Sequence, residues 1–153
     1  MSKRKVKNIA IYTAIALLAV AVVSLFVTVG GMKTTKKLTA SDFGIGAIST
    51  ETGRYVESNQ SIYLEELYEV ENAEIKLEEN STITYKMFFY GEDENYISAT
   101  TALSTDFDGT SIPENAKYFR LVITPDTVDG EAVEVTILNI LKYVNQIEVT
   151  VSK

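Results

Sequence analysis

Three residue types that the chain lacks restrict the chemistry open to it. It contains no Cys, no His and no Trp. Without Cys and His it has no thiolate or imidazole ligands for zinc, haem or iron–sulfur sites, and no Ser–His or Cys–His pair for nucleophilic catalysis. Two carboxylates could hydrolyse glycosides, but no spacing singles out a pair among the 21 acidic residues. We therefore expect a non-catalytic protein that uses no cofactor.

A short acidic loop between two tyrosines is the best candidate for ligand binding. Tyr90 and Tyr96 flank residues 91–95, whose sequence is GEDEN. Tyrosine rings offer apolar faces on which sugars stack, and acidic or amide oxygens accept hydrogen bonds from sugar hydroxyls. The alternative, that both rings are core or cross-strand contacts, stays open. The candidate ligand-binding residues are Tyr90, Glu92, Asp93, Asn95 and Tyr96.

Arg120 is the charged residue with two competing roles. Its planar guanidinium can bind a carboxylated or hydroxylated sugar through paired hydrogen bonds. Alternatively, it forms an ion pair with a nearby carboxylate and stabilises a sheet. We expect the second, structural role.

Acidic clusters raise the question of a calcium site. Asp93, Glu94 and Asn95 lie together, and so do Asp106 and Asp108. Calcium takes about 6–8 oxygen ligands, often from loops. No calcium-binding loop motif is present, however, and Asp and Asn are common in turns for backbone reasons alone. We therefore predict no metal site.

The first part of the chain predicts a membrane anchor. Residues 9–29 form an uncharged run of 21 residues, IAIYTAIALLAVAVVSLFVTV. As a helix this run is about 31 Å long, which matches a hydrocarbon core of about 30 Å. A cleaved signal peptide is the alternative, but its apolar region is usually only about 7–15 residues long. We expect an uncleaved signal anchor and single-pass attachment to a lipid bilayer.

Charge is distributed unevenly along the chain. Residues 1–37 carry seven basic and no acidic side chains, whereas residues 38–153 carry seven basic and 21 acidic ones, a net charge of −14. A domain this acidic repels the phosphate backbone of nucleic acids, and we therefore do not expect nucleic acid as a partner. Basic residues before the anchor favour a cytoplasmic tail at residues 1–8 and an extracellular domain.

The remainder of the chain has the pattern of a β-protein. Residues 30–41 are predicted as a polar tether, and residues 42–153 as one domain. Short segments with alternating apolar residues are separated by turn signals, which indicates an all-β sandwich. Residues 64–70 (LEELYEV) could instead form a helical turn. The predicted strands are residues 73–78, 82–90, 96–101, 117–124, 133–141 and 147–153.

Two linked motifs resemble a known group of modules. They are YKMFFYGEDENYIS at residues 85–98 and SIPENAKYFRLVI at residues 111–123. They resemble jelly-roll modules of tail and receptor-binding proteins from phages of Gram-positive bacteria, and of bacterial surface proteins. Such modules are similar to carbohydrate-binding and galactose-binding-like domains. The chain departs from their pattern by having Gly91 and Glu92 at the tight turn.

The resemblance carries expectations about fold and function. It implies a jelly-roll sandwich in which Arg120 is structural. It also implies a surface-displayed binding module for a glycan or cell-wall polymer. The alternative is a structural or assembly protein that contacts another protein in a virion or envelope complex.

Overall fold

The computed structural model describes residues 34–152. Residues 35–152 belong to one compact unit. The predicted cytoplasmic tail and membrane anchor lie outside the described residues. Within residues 34–152, no helix is both long enough and apolar enough to span a membrane.

Strands dominate the described part of the chain. A 3-10 helix lies at Ala40–Asp42, and the short helix α1 lies at Ile140–Val144. The strands, in chain order, are β1 (Thr35–Lys37), β2 (Phe43–Ile45), β3 (Ala47–Ile48), β4 (Tyr55–Val56), β5 (Ile62–Leu64), β6 (Tyr68–Glu69), β7 (Glu74–Leu77), β8 (Ile83–Tyr90), β9 (Tyr96–Ala99), β10 (Tyr118–Pro125) and β11 (Ile147–Ser152).

These strands form two main antiparallel sheets. The large sheet has the order β2-β5-β10-β8-β9, and β6 also pairs with β10. The small sheet has the order β1-β11-β7, and β3 and β4 form a separate hairpin. This arrangement, mostly sheet with few helices, agrees with the predicted all-β sandwich.

The main core lies where the two sheets contribute side chains to the same cluster. Alternate residues of β8 enter it, including Tyr85, Met87 and Phe89, which are almost fully buried. From the small sheet, β11 contributes Val149 and Val151. In both strands every second side chain enters this cluster, because successive strand residues point to opposite faces of a sheet. The sequence shows the same period of two. Complete burial of such side chains stabilises a fold by roughly 1.5–3 kcal/mol each.

A second apolar layer covers the outer face of the large sheet. Phe88 and Tyr90 point away from the main core, yet both are buried. They pack in a cluster with Val122 of β10 and with Ile48 of the β3–β4 hairpin. The hairpin therefore lies over this face and excludes water from one part of it.

One predicted strand is wrong. Residues 133–141 contain no strand; the chain turns there and enters α1. The Thr136 N–H donates to Asn139 Oδ1 (2.7 Å), and the Ile140 N–H donates to the Thr136 carbonyl (3.0 Å). This local bonding competes with strand pairing and starts the helix. Residues 64–70, by contrast, hold the end of β5 and all of β6 rather than a helical turn.

The domain begins earlier than the sequence predicts. The predicted tether at residues 30–41 includes β1, in which Thr35 pairs with Ser152 and Lys37 with Thr150. Leu38 is buried, and Lys36 forms an ion pair with Asp42. The polar sequence of β1 is that of an edge strand, where charged side chains remain in water. Strand composition alone could not distinguish it from a tether.

Candidate functional site

The predicted binding loop connects β8 to β9 at the surface. Its ends are joined by a hydrogen bond from the Gly91 N–H to the Asn95 carbonyl (2.9 Å). Glu94 adopts the left-handed backbone conformation (φ 59°) that closes the turn. The side chains of Glu92, Asp93 and Asn95, which the sequence predicts as ligand-binding, are exposed. Their oxygens are therefore accessible to a ligand.

Tyr90 lies in the core and is not a surface platform. It is 5% exposed, and its hydroxyl donates to the Gly53 carbonyl at 2.7 Å. Burial raises the pKa of Tyr90 to about 12, and the nearby Arg120 charge opposes this rise. Its ring is enclosed by protein, so the core alternative holds and a sugar cannot stack on it.

Tyr96 holds the hairpin from the other side of the loop. Its hydroxyl donates to the Thr50 carbonyl at 2.7 Å, and its ring packs edge-on against Tyr90 at 5.8 Å between centroids. Burial raises the pKa of Tyr96. A Cβ at Gly53 would lie 2.4 Å from the ring, so only glycine fits there. Both tyrosines thus anchor the β3–β4 hairpin.

A third aromatic contact completes the hairpin's attachment. Tyr55 of β4 packs on Tyr63 of β5 with ring centroids 5.1 Å apart. Tyr55 remains half exposed, at 50%. Tyr63 is partly exposed beside it, so one edge of the aromatic surface reaches solvent.

Arg120 lies on this outer face without the predicted carboxylate partner. It stands opposite Phe88 in the β10–β8 register, two residues from Tyr118 and two from Val122. Its Nε is buried and has no hydrogen-bond partner among the described residues. No ion pair within residues 34–152 includes it. The proposed structural pairing is therefore not formed.

An acidic residue of the same region faces elsewhere. Glu65 follows β5, and its Oε1 would lie 2.6 Å from a Cβ placed on Gly44. Its negative charge contributes to the raised pKa of Tyr63, after the larger effect of burial. Glu65 thus lies at the Gly44 edge of the sheet, close to Tyr63.

The acidic residues considered for calcium are used in local turns. Asp106 Oδ1 accepts the Leu77 N–H at 2.8 Å. Asp108 Oδ1 accepts both the N–H (2.9 Å) and the hydroxyl (2.8 Å) of Thr110, and these bonds lower its pKa. Across residues 34–152, no three acidic side chains gather in a group that could hold a metal.

A separate hollow of about 480 Å³ lies beside the small sheet. Its walls include Lys37, Lys76 and Glu148. Lys37 Nζ contacts Glu148 Oε2 at 2.6 Å, so these opposite charges largely neutralise each other. The hollow offers no unpaired charge comparable with that of Arg120.

Comparisons with protein-family models, curated proteins and solved structures find no match for this chain. The interpretation of its function therefore rests on the residues described above.

The sequence carried one signal of the outer aromatic face that alternation alone did not interpret. Phe88 and Tyr90 occupy the strand positions of β8 that should be polar if that face met water. Apolar residues on both faces of one strand indicate burial on both sides. The sequence could not show that a hairpin from residues 47–56 provides the second cover.

Proposed function

We propose that this chain is a surface-displayed, non-catalytic binding module for a glycan or cell-wall polymer. The single observation that carries the proposal is the unpaired Arg120 beside an aromatic surface. A buried guanidinium N–H without an acceptor is unfavourable by about 1–3 kcal/mol. Buried polar groups almost always have a hydrogen-bond partner, so a buried donor without one calls for an explanation, and a bound ligand would supply the acceptor.

The ligand surface in this proposal is the open part of the outer face of the large sheet. We call it the Arg120 face and define it by Arg120, Tyr63 and Tyr118, which are all partly exposed. Tyr118 pairs with Tyr90, the last residue of β8, and the acidic loop follows at once. The tyrosine rings offer stacking area, the guanidinium offers hydrogen-bond donors, and the loop oxygens form one rim.

The sequence resemblance supports the same proposal. The jelly-roll modules that the two motifs resemble are similar to carbohydrate-binding domains. Both motifs contribute to this region, because the first spans β8 and the loop, and the second opens β10. Topology of the jelly-roll type is part of the proposal.

Attachment to a membrane is the second element of the proposal. Residues 9–29 have the length and apolarity of a bilayer span, and basic residues precede them. With the N-terminus cytoplasmic, the β-domain is displayed outside the cell. A module that captures a surface polymer would act from this position.

A structural or assembly protein is the second candidate function. The observation that favours it is a group of exposed large apolar side chains, among them Ile137 (84% exposed) and Leu138 (96% exposed). Such groups mark contacts with other proteins more often than contacts with sugars. The two candidates use different surfaces, so both can be tested on one protein.

A glycan array tests the first candidate. The full-length chain, held in phosphatidylcholine nanodiscs, is applied with Arg120→Met and Arg54→Met as matched variants. Arg54 is an exposed arginine on the hairpin, so its loss controls for the general effect of removing a positive charge. We expect the wild type and Arg54→Met to bind the same glycans with the same affinity. Arg120→Met should bind them more weakly, by a factor of about ten or more. Absence of glycan binding, or equal binding by Arg120→Met, would contradict the proposal.

A further inference from the structure

Exposed apolar side chains concentrate in the connection between β10 and β11. Ile137, Leu138 and Leu141 are 84%, 96% and 54% exposed, and Val128 is 63% exposed. A single exposed leucine is ordinary, but several in one segment indicate an interaction surface. This segment is not part of the Arg120 face.

Three of these side chains lie in one short segment. Residues 136–139 form a turn that leads directly into α1, with hydrogen bonds from the N–H groups of Asn139 and Ile140 to the Thr136 carbonyl. Ile137 and Leu138 lie in this turn and Leu141 lies in the first turn of α1, so the three exposed side chains fall within five consecutive residues. Tyr143 and Val144 of the same helix are buried in the core.

Local hydrogen bonds hold the three side chains in the exposed position. Asn139 accepts the Thr136 N–H through Oδ1 (2.7 Å) and donates through Nδ2 to the Glu134 carbonyl (2.9 Å). Val135 is buried, and its N–H donates to the Asn59 carbonyl at 2.6 Å. With both ends of the turn fixed, the apolar side chains cannot fold back onto the core.

The polar surroundings of these side chains are acidic. Asp126, Asp129, Glu131 and Glu134 are exposed in the same connection, and Lys142 is its one basic residue. No ion pair among the described residues involves any of these acids. A partner that covers the apolar side chains must therefore also offer positive charge.

We propose that Ile137, Leu138 and Leu141, in a connection that also carries the exposed Glu131 and Glu134, form a docking surface for a basic amphipathic segment of another protein. Apolar side chains of the partner would pack on the three exposed residues, and its Lys or Arg side chains would face the acids. A second copy of this chain would instead bring like charges together, and anionic lipid would be repelled.

The rest of the described domain leaves this surface unobstructed. Within residues 34–152, Ile137, Leu138 and Leu141 keep more than half of their side-chain surface exposed to solvent.

Binding of a defined probe peptide tests the proposal. The full-length chain in phosphatidylcholine nanodiscs is titrated with a synthetic helix of leucine and lysine, and with a counterpart of leucine and glutamate. We expect binding of the lysine peptide alone, weakened by added salt. Substituting all three apolar residues by Ser should weaken it at least about tenfold, because central apolar contacts dominate interfaces. A Val56→Ser control, on the exposed β4, should bind as the wild type does.

A second variant tests the proposal even if the triple serine variant fails to fold. Glu131→Gln with Glu134→Gln keeps the apolar residues, and we expect weaker binding with less dependence on salt. Equal affinity of the triple serine variant and the wild type, or equal binding of both peptides, would overturn the proposal. Dimerisation that the triple variant abolishes would also overturn it, in favour of a second copy as the occupant. None of these results depends on glycan binding at the Arg120 face.

Discussion

Replacing Arg120 with Met tests whether this arginine stabilises the sheet or is instead available to bind a ligand. If Arg120 held a carboxylate within the sheet, its loss would leave that carboxylate unpaired and destabilise the domain by about 3–5 kcal/mol. The structure shows no such carboxylate, and the buried Nε has no acceptor among the described residues. Removing this donor should therefore not destabilise the domain.

The size of the effect follows from the surroundings of the side chain. A buried, unsatisfied N–H is unfavourable by about 1–3 kcal/mol, and methionine keeps most of the apolar stem that packs beside Phe88. Arg120 is partly exposed, so water already solvates some of the guanidinium. We expect Arg120→Met to raise the free energy of unfolding by about 1 kcal/mol, which raises Tm by roughly 4 °C for a domain of this size.

Urea unfolding of residues 34–153, followed by circular dichroism, measures the change. Arg54→Met is the matched control, because Arg54 is exposed and its replacement should change the free energy of unfolding by less than about 0.5 kcal/mol. A loss of more than about 1 kcal/mol for Arg120→Met, with an unchanged urea dependence, would refute the reasoning. It would show that Arg120 stabilises the sheet after all.

Three further predictions follow from other contacts. Tyr90→Phe should destabilise the domain by about 1–3 kcal/mol in the same assay, because the buried Gly53 carbonyl loses its donor, whereas Tyr96→Phe should lose under about 1 kcal/mol, because water can reach Thr50; equal losses would contradict this. Burial alone would raise the pKa of Asp42, but hydrogen bonds from Lys36 and Thr39 give a net lowering. A lowered pKa in the folded state stabilises the fold above the unfolded pKa, and this contribution is lost as pH falls below about 4. Asp42→Asn should therefore show a shallower loss of stability in that pH range, and an unchanged pH profile would refute the assignment. Full-length protein should remain with membranes after carbonate extraction, whereas a soluble form that begins near Gly31 would indicate a cleaved signal peptide.

The sequence predicted five strands correctly, β7 to β11. Alternation is clearest in residues 73–78 and 147–153, where the structure places β7 and β11. Alternation is a local property, because each side chain position follows from its neighbour along the strand. Residues 133–137 also alternate (VEVTI), yet the hydrogen bonds of Asn139 hold this segment in a turn that leads into α1, so alternation alone did not decide its structure.

The roles within the candidate site depended on contacts distant in sequence. Tyr90 is a core residue because Gly53, 37 residues earlier, accepts its hydroxyl hydrogen bond. Arg120 has no ion pair among the described residues, and its buried Nε has no acceptor there. The residue types of Tyr90 and Tyr96 suggested ligand binding. Only the Gly53 and Thr50 carbonyls, which accept their hydroxyl hydrogen bonds, show that both tyrosines hold the β3–β4 hairpin.

The sequence by itself determined the β-class, the five strands β7 to β11, the acidic surface and the exclusion of Cys- and His-dependent chemistry. These properties depend on composition and on spacing along the chain, which do not change on folding. Only the tertiary structure decided which face of the large sheet the β3–β4 hairpin covers, and where Ile137, Leu138 and Leu141 emerge. Those outcomes depend on which distant segments pack together, because burial is a property of the three-dimensional neighbours of a residue and not of its neighbours in sequence.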